Sequence, residues 1–526
     1  MDAMRHQTND VSRTAKSCGP GAPTSGTIRM TSAIAIAIRL APDHGGAAPT
    51  TATGRELIRW MGDRNGLMQD AGTRGDVHGQ GQRDVKVESV TRAAFGATVG
   101  NMLEFYDFIT YSFFAIQIGH TFFPAQSEYG SLMLSLATFG AGFLTRPIGG
   151  IVLGIYSDRA GRRPAMVLSF VLMGGAILVL ALTPSYNMIG IAAPIIVIIA
   201  RLVQGFALGG EVGPTTAYLM EIASPLNRAR VVSWQPASQQ IAATLGALVG
   251  VILAKTMTAE ALEAYGWRIA LLIGSVCLPF GFWIRRTLPE TVDRRPREPG
   301  AQHAGHLAIA RRHLRTIVLA LMILANGTIA TYGMHYMTTY AQNTLHVPAP
   351  LAFATSLVGL GVGIGAALLG GWLADRFGRK PVMVWPQFAA LMLTYPVYLW
   401  IVQSPGPASL LGGLGVLSLI GSLPFAAFFA TFTEALPQQI RGGAIATIYA
   451  VAIAIFGGTA QLIITWLIHI SGNPLALAWY LLSAGLVGFV AMCLMPETAP
   501  VKVGVPPLAR DQVAGPRAAA TAKSEA

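Results

Sequence analysis

Long apolar stretches dominate the sequence from residue 94 onward, and short polar loops separate them. A stretch of about 20 residues is long enough to cross a hydrocarbon layer as a helix. Helices are expected because no water is present there to satisfy backbone groups. The pattern predicts twelve such helices, which lie roughly at 94–123, 131–156, 164–183, 189–222, 231–254, 266–287, 314–343, 350–374, 381–402, 407–435, 443–468 and 474–495.

Basic residues fall almost entirely in every second loop. The loops after the even-numbered stretches hold 17 Lys and Arg residues, whereas the loops after the odd-numbered stretches hold Lys255 alone. We call the two faces the even-loop side and the odd-loop side. Basic loops stay on the cytoplasmic side of a membrane. This pattern predicts a multi-pass protein of the inner (plasma) membrane with both termini in the cytoplasm.

Composition agrees with a chain embedded in lipid. Hydrophobic residues make up 52% and charged residues 12%, where soluble domains carry about 25% charge. A net charge of +12 would suit a nucleic-acid partner in a soluble protein. The basic residues are dispersed among many loops, so we do not expect a nucleic-acid partner. Three widely separated cysteines (Cys18, Cys277 and Cys493) indicate neither disulfide bonds nor a metal site.

The first part of the chain differs from the rest. Residues 1–93 hold 21 of the 62 charged residues and show no sustained period, which is typical of disorder. Translation that begins at Met68 is an alternative to translation of the whole head. We expect a disordered head, an N-terminal six-helix bundle, a cytoplasmic linker, a C-terminal six-helix bundle and a disordered tail, at 1–90, 91–290, 291–313, 314–498 and 499–526.

The two predicted bundles repeat each other. GIYSDRAGRRP at 154–164 returns as GWLADRFGRKP at 371–381, and Pro-Glu-Thr at 289–291 returns at 496–498. Both copies of each motif lie on the even-loop side, so the repeat is parallel rather than inverted. Parallel six-helix halves are an arrangement known among secondary transporters.

The repeated loop resembles the signature of the major facilitator superfamily. GNMLEFYDF at 100–108, RLVQGFALGGE at 201–211, SWQPASQQ at 233–240 and LPET at 288–291 are similar to its metabolite:proton symporter family. The resemblance covers roughly 90–498, and SWQPASQQ is most similar to the citrate and tricarballylate members. It implies an all-α membrane protein of twelve transmembrane helices in two parallel six-helix bundles.

The same resemblance implies a transporter that imports an organic acid anion, with citrate or a related tricarboxylate as the first choice. The proton would be the coupling ion, no other cofactor would be needed, and the protein would work as a monomer in the bilayer. Other substrates of the family remain alternatives: 2-oxoglutarate, dicarboxylates, shikimate, proline and betaine.

The resemblance also implies a charge network that clasps the two halves on the cytoplasmic side. This gate would hold the protein outward-open until substrate and proton bind. The alternative is that its arginines only fix topology, but acidic residues contribute little to that rule. Its first copy would be Asp158, Arg162, Glu221 and Arg228, and its second Asp375, Arg379, Glu434 and Arg441.

Ionisable residues within the apolar stretches are candidates for function, because a charge at bilayer depth is costly. Asn101, Glu104 and Asp107 are spaced by three in the first helix, and we expect them on one face that lines the central cavity. Two carboxyl groups one turn apart disfavour simultaneous ionisation. Glu104, Asp107 and Glu211 are therefore candidate proton carriers. The alternative is that they pair with arginines and only hold the bundle together.

Arginines in the second and fourth helices are candidate ligands for carboxylates. Arg201, Gln204 and Glu211 share a face, and Arg146 lies in the second helix. Arginine binds carboxylates through two parallel hydrogen bonds. The alternative is a structural pair between Arg201 and an acid. Gly205 and Gly209 occupy another face, where small residues let a neighbouring helix approach.

Polar residues in the fifth and seventh helices complete the candidate substrate site. Gln235, Gln239 and Asn326 could donate hydrogen bonds in the cavity, or they could hold helices together. In the seventh helix, Tyr332, Tyr336 and Tyr340 recur at spacing four. Their outer part is expected in helix packing and an aromatic belt.

Other classes of protein fit less well. The sequence lacks HExxH, a nucleophile elbow and a phosphate loop, so we do not expect an enzyme. A non-transporting nutrient sensor would need a signalling domain longer than the 28 residues after Thr498. A drug exporter for cations would favour acidic cavities over Arg146 and Arg201.

Overall fold

The computed structural model describes residues 98–99, 101–103, 105–160, 162–209, 216, 219–220, 222–275, 279, 311–436 and 447–504. For 157–159, 162–163 and 166 it describes the backbone alone.

In this part of the chain the helices follow the twelve apolar stretches. They are α1 (105–122), α2 (Glu128–Tyr156), α3 (Arg162–Leu182), α4 (Ala192–Leu208), α5 (Arg228–Thr256), α6 (267–275), α7 (Leu314–His335), α8 (Ala349–Phe377), α9 (Arg379–Gln403), α10 (Ala408–Ala435), α11 (Thr447–Ser471) and α12 (Ala476–Leu494).

Eight of the helices in the described ranges are long and apolar enough to cross a membrane: α2, α5 and α7 to α12. Large apolar side chains point away from the protein on many of them, for example Ile151, Ile252 and Leu486, which are each more than half exposed. A soluble protein rarely exposes so many large apolar side chains. The bilayer covers this surface, and the twelve-helix membrane fold is confirmed.

The halves meet along α5 with α8 and along α2 with α11. Close backbone approach makes the second contact possible. A Cβ added at Gly140 would lie 2.5 Å from the carbonyl oxygen of Gly458. On the odd-loop side the ring of Phe353 from α8 fills the space above Gly250 of α5. Glycine is required at these points because any side chain would push the helices apart.

The glycine stripe of α4 packs against α2, as its spacing predicted. A Cβ at Gly205 would overlap the carbonyl oxygen of Gly142, and one at Gly209 would overlap that of Arg146. The α2 helix turns at Thr145, whose hydroxyl donates to the carbonyl of Leu202 at 2.7 Å. This tight crossing fixes where Arg146 and α4 lie relative to each other.

Several predictions concern residues outside the described ranges: the head with Met68, most of the linker, and the tail beyond Gly504. Pro500–Val503 forms a short helix, so regular structure continues a few residues past the predicted start of the tail. The expected aromatic belt on α7 is wrong for Tyr336 and Tyr340. Both are buried in a hydrophobic cluster that includes Leu136 of the N-terminal half and Leu477 of the C-terminal half, in line with the packing role that was also expected.

Candidate functional site

Arg201 of α4 is fully buried among aromatic rings. Its guanidinium carbon lies 4.2 Å from the ring centre of Phe108, 4.6 Å from that of Tyr111 and 5.0 Å from that of Phe139. Nη1 donates to Oε1 of Gln204 at 2.7 Å. Nε and Nη2 have no hydrogen-bond partner in the described part of the molecule. Aromatic faces attract the cation but leave these donors free.

Arg146 of α2 lies in the same group of rings. Its guanidinium carbon is 4.5 Å from the ring centres of both Phe108 and Phe143, and Nε and Nη2 again lack partners among the described residues. The ring of Phe108 contacts both guanidinium groups, so the two cations lie near each other. We call Arg146, Arg201 and the four rings the arginine pocket.

The arginine pocket has the donor set of an anion site. No acidic side chain within the described ranges bonds to either guanidinium. Burying an unpaired charge is costly, and two like charges side by side cost more. An anion with two carboxylates would satisfy the free N–H groups of both arginines, because each can bind one carboxylate bidentately.

Other candidate residues of the N-terminal half are buried, and some of their polar atoms have no hydrogen-bond partner among the described residues. Asn101 donates to Oγ of Ser238 at 2.6 Å and to the carbonyl of Gln235 at 3.4 Å, which ties α5 to the start of the first helix. The amide group of Gln235 and Nε2 of Gln204 are buried without hydrogen-bond partners among the described residues.

A cavity of about 190 Å³ lies between the two halves. Gln239 and Asn326 line it, as does His335, and none of its lining residues carries a permanent charge. Asn326 donates to Oε1 of Gln387 at 3.2 Å, and Gln239 donates to the hydroxyl of Tyr449 at 3.3 Å. Gln387 and Tyr449 were not predicted from the sequence, although a glutamine within an apolar stretch was a visible signal.

The prediction that Asn101 and Asp107 of the first helix line the cavity is wrong. The cavity is lined from α1 by Phe105 and Ile109, and Asp107 points the other way, against Gly274 of α6. The reason is geometric: each step of three residues turns about 60° short of a full helical turn, so Asn101 and Asp107 diverge by about 120°. Asp107 is fully buried, and neither carboxyl oxygen has a hydrogen-bond partner in the described ranges.

Charged residues of the predicted gate meet on the even-loop side. The guanidinium of Arg379 donates to Asp375 at 2.6 Å and to the two oxygens of Glu434 at 3.1 and 3.3 Å. Arg228 of the N-terminal half lies 4.0 Å from Glu434. We call these four residues the even-loop cluster.

Asp375 connects the two halves by an unexpected contact. Its carboxylate accepts hydrogen bonds from the backbone N–H groups of Ala229 at 3.1 Å and Arg230 at 2.9 Å. These groups belong to the first turn of α5, where unpaired N–H groups and the helix dipole attract anions. The C-terminal half thus caps a helix of the N-terminal half.

Glu497 is a second capping residue that sequence analysis missed. It accepts from the backbone N–H groups of Arg379 at 2.9 Å and Lys380 at 3.1 Å, at the start of α9. Thr498 donates to Glu434 at 2.7 Å. The repeated Pro-Glu-Thr was the available signal, and its position at the end of α12 places it beside α9.

Part of the predicted site cannot be compared with the structure. Glu104, Glu211, Glu221 and Arg441 lie outside the described residues. Asp158 and Arg162 are described by their backbone alone.

Twelve helices in two packed halves, an apolar outer surface and a central cavity lined mostly by apolar side chains with several amides define a multi-pass membrane transporter. The pattern of the Major Facilitator Superfamily matches residues 97–456. The chain belongs to this family of transporters, and it is not an enzyme.

Several named proteins are similar to this chain over about three quarters of its length. The chain is 38% identical over 407 residues to a citrate-proton symporter of Salmonella typhi, covering 76% of this chain and 94% of the relative. It is 35% identical over 404 residues to a citrate-proton symporter of Klebsiella pneumoniae, covering 77% and 91%. It is 33% identical over 404 residues to the alpha-ketoglutarate permease of Escherichia coli (strain K12), covering 77% and 93%.

Solved structures share the fold at low sequence identity. The proton:xylose symporter XylE superposes with a TM-score of 0.64 at 18% identity, over 78% of this chain and 97% of the other. The human organic anion transporter MFSD10 superposes with a TM-score of 0.55 at 18% identity, over 77% and 99%.

Proposed function

We propose that this protein imports citrate or a related tricarboxylate together with protons, by alternating access. The arginine pocket carries this proposal. Two buried guanidinium groups without acidic partners among the described residues favour an anion with at least two carboxylates. The relatives named citrate-proton symporter point to the same class of substrate.

In this proposal Arg146 and Arg201 hold two carboxylates of the substrate. Gln204 and Gln235 add neutral hydrogen-bond donors from the N-terminal half, with Asn101 keeping α5 in place. The cavity residues Gln239 and Asn326 contact the remaining polar groups. A site that mixes two cations with several amides discriminates against zwitterions, because a quaternary amine would have no anionic partner there.

The proton acceptor in this proposal is Asp107, with Glu104 and Glu211 as further candidates. Burial without hydrogen-bond donors favours the neutral form of a carboxyl group, and Asp107 has this environment. A trianion that enters with three protons moves no net charge. The membrane potential, about 2.3 kcal/mol per charge per 100 mV, therefore assists uptake only when further protons accompany it.

The even-loop cluster serves in this proposal as the cytoplasmic gate. Asp375 and Arg228 of the cluster join the halves on that side. The remaining gate candidates are Asp158, Arg162 and Glu221 of the first copy and Arg441 of the second copy. The basic loops further support an inner-membrane location with both termini in the cytoplasm, and the protein acts as a monomer.

A dicarboxylate such as 2-oxoglutarate is the second candidate substrate. One relative is named alpha-ketoglutarate permease, and two arginines can be satisfied by two carboxylates. Competition separates the candidates: excess 2-oxoglutarate should leave uptake of labelled citrate largely intact if the tricarboxylate is the substrate.

Uptake of labelled citrate into proteoliposomes tests the proposal. We expect accumulation driven by an imposed proton gradient and its loss with an uncoupler. Arg146→Lys and Arg201→Lys should each weaken citrate affinity by about tenfold or more, because lysine keeps the charge but loses the bidentate geometry. The exposed Arg230→Lys is the matched control and should transport normally. Wild-type affinity in both pocket variants, or uptake of betaine but not citrate, would overturn the proposal.

A further inference from the structure

His335 of α7 is a buried ionisable residue to which the proposed function assigns no role. Its side chain lines the central cavity, and the residue is 3% exposed. Its ring lies edge to face against Phe113 of α1, with 6.1 Å between ring centres, and against Tyr332, with 5.4 Å. Nδ1 is buried and has no hydrogen-bond partner in the described part of the molecule. Buried polar atoms without a partner are uncommon, so this nitrogen requires an explanation.

The charge of the cavity lining can change near neutral pH through His335. The other titratable groups in the described lining are tyrosines, which ionise only at high pH: Tyr332, Tyr398 and Tyr449. Charged groups on the neighbouring elements point elsewhere. Asp107 of α1 faces Gly274 of α6, and Arg146 and Arg201 pack on the rings of the arginine pocket, two of which contact Tyr332.

The position of His335 on its helix suits a positive charge. It is the last residue of α7 before the chain turns at Tyr336, and helix resumes at Met337. Carbonyl groups at the end of a helix attract cations. This attraction is small beside the cost of burying an unpaired charge. A proton on His335 therefore needs an anion as its partner.

We propose that His335 takes up one proton when a substrate anion enters the central cavity, and that its imidazolium donates a hydrogen bond to a carboxylate of that substrate. This inference rests on the proposed function. The proton comes from the solution that supplies the substrate, binds at Nδ1 and leaves with the substrate on the other side. The N–H bond is the one covalent bond that forms and breaks.

The two binding events assist each other. The carboxylate supplies the negative charge that the described lining lacks, and a charge-assisted hydrogen bond is roughly twice as strong as a neutral one. By reciprocity, a proton on His335 strengthens the binding of the anion as much as the anion strengthens the binding of the proton. His335 would thus connect proton and substrate within the cavity itself, whereas Asp107 faces away from it.

Two substitutions test the inference. His335→Gln keeps a hydrogen-bond donor but cannot become a cation, and His335→Phe keeps an aromatic ring against Phe113 and Tyr332. His346→Asn is the control, because His346 is exposed on the odd-loop side and its positive φ of 52° suits asparagine. The measurement is the number of protons taken up per citrate bound. Calorimetry in buffers of different ionisation enthalpy gives this number, at a pH where free citrate is fully ionised.

We expect both variants at 335 to take up about one proton fewer per citrate than the wild type, and His346→Asn to match the wild type. As the pH rises, the wild-type Kd for citrate should increase by up to about tenfold per pH unit relative to that of His335→Gln, since one linked proton is lost. Melting temperatures show which variants fold, and either variant at 335 is sufficient for the comparison.

An unchanged proton count in a folded variant that still binds citrate would overturn the inference and leave the proposed function intact. A wild-type protein that binds citrate without taking up protons would overturn it too, whichever variants fold. A wild-type protein that binds neither citrate nor 2-oxoglutarate would overturn the proposed function as well.

Discussion

The buried carboxyl group and the buried arginines lie on different sides of α1. Asp107 faces α6, and its neighbour Phe108 contacts both arginines. Consecutive residues of a helix point about 100° apart, so one short segment of α1 touches both candidate sites. A proton at Asp107 and an anion at the arginine pocket would therefore act on the same piece of helix.

We expect Asp107→Asn to abolish citrate accumulation against a gradient and to keep citrate exchange across the membrane. Asparagine has nearly the same shape but cannot take up and release a proton. Accumulation and exchange are measured with labelled citrate in proteoliposomes, with and without a pH gradient.

Glu128→Gln, at an exposed acidic residue in the first turn of α2, is the control and should behave as wild type. Undiminished accumulation by Asp107→Asn would assign the proton to another group.

Sequence alone identified the charged candidates but not their surroundings. An arginine within an apolar stretch is conspicuous, so Arg146 and Arg201 could be selected without a structure. Aromatic residues are ordinary in such stretches, and helix packing decides which ring meets which guanidinium. The position of Asp107 was missed because an angular error of about 60° per step of three residues doubles over six residues.

Helices α2 and α4 depend on one another through their glycines. The close crossing at Gly205 and Gly142 brings the helix of Arg146 next to the helix of Arg201. The spacing of the glycines predicted that a neighbouring helix packs closely against α4, but it did not identify that helix. The geometry of the arginine pocket therefore depends on backbone contacts between glycines that have no side chain in the site.

Gly205→Ala should lower the stability of the protein, since its Cβ would overlap the carbonyl oxygen of Gly142. Overpacking of this kind costs about 1–3 kcal/mol. The melting temperature of the purified protein is the measurement. Gly175→Ala in α3 is the matched control, because no atom of the described residues lies within 4 Å of its added Cβ. It should be neutral or slightly stabilising. Equal melting temperatures for the two variants would contradict this account.

At the scale of the whole molecule, the two halves repeat in sequence but differ in chemistry. The repeat predicted the parallel halves, and the family resemblance implied a charge network on the even-loop side. It could not predict that the charged pocket is built on one half, while the cavity lining from the other is neutral. The fold constrains the residues of the loop motifs, but it leaves the identity of the side chains at bilayer depth free to differ between the halves.

Asp375→Asn should weaken the closure of the even-loop side, because a neutral amide binds the start of α5 less well than a carboxylate. We expect slower transport with nearly unchanged citrate affinity, and wider distances between spin labels on the two halves at that side. Glu497→Gln is the matched control: it removes a similar cap that lies within one half. Identical spin-label distances in Asp375→Asn and wild type would contradict this role.

Topology can be tested separately. Cysteines introduced at Gly190 on the odd-loop side and at Arg312 on the even-loop side should react differently with a membrane-impermeant thiol reagent added to intact cells. We expect labelling at 190 alone, because basic loops remain inside. Labelling at 312 from the outside would reverse the proposed orientation.

The contact between Asp375 and α5 has a consequence for how the transporter tolerates mutation. Its partners on the far side are peptide N–H groups of residues 229 and 230, which every amino acid except proline provides. Substitutions of the exposed side chain of Arg230 should therefore leave the hydrogen bonds in place, whereas Ala229 is buried and tolerates only small residues. Among side chains, this particular contact depends on the carboxylate of Asp375. Random variants that lose the contact should cluster there and at prolines in the first turn of α5.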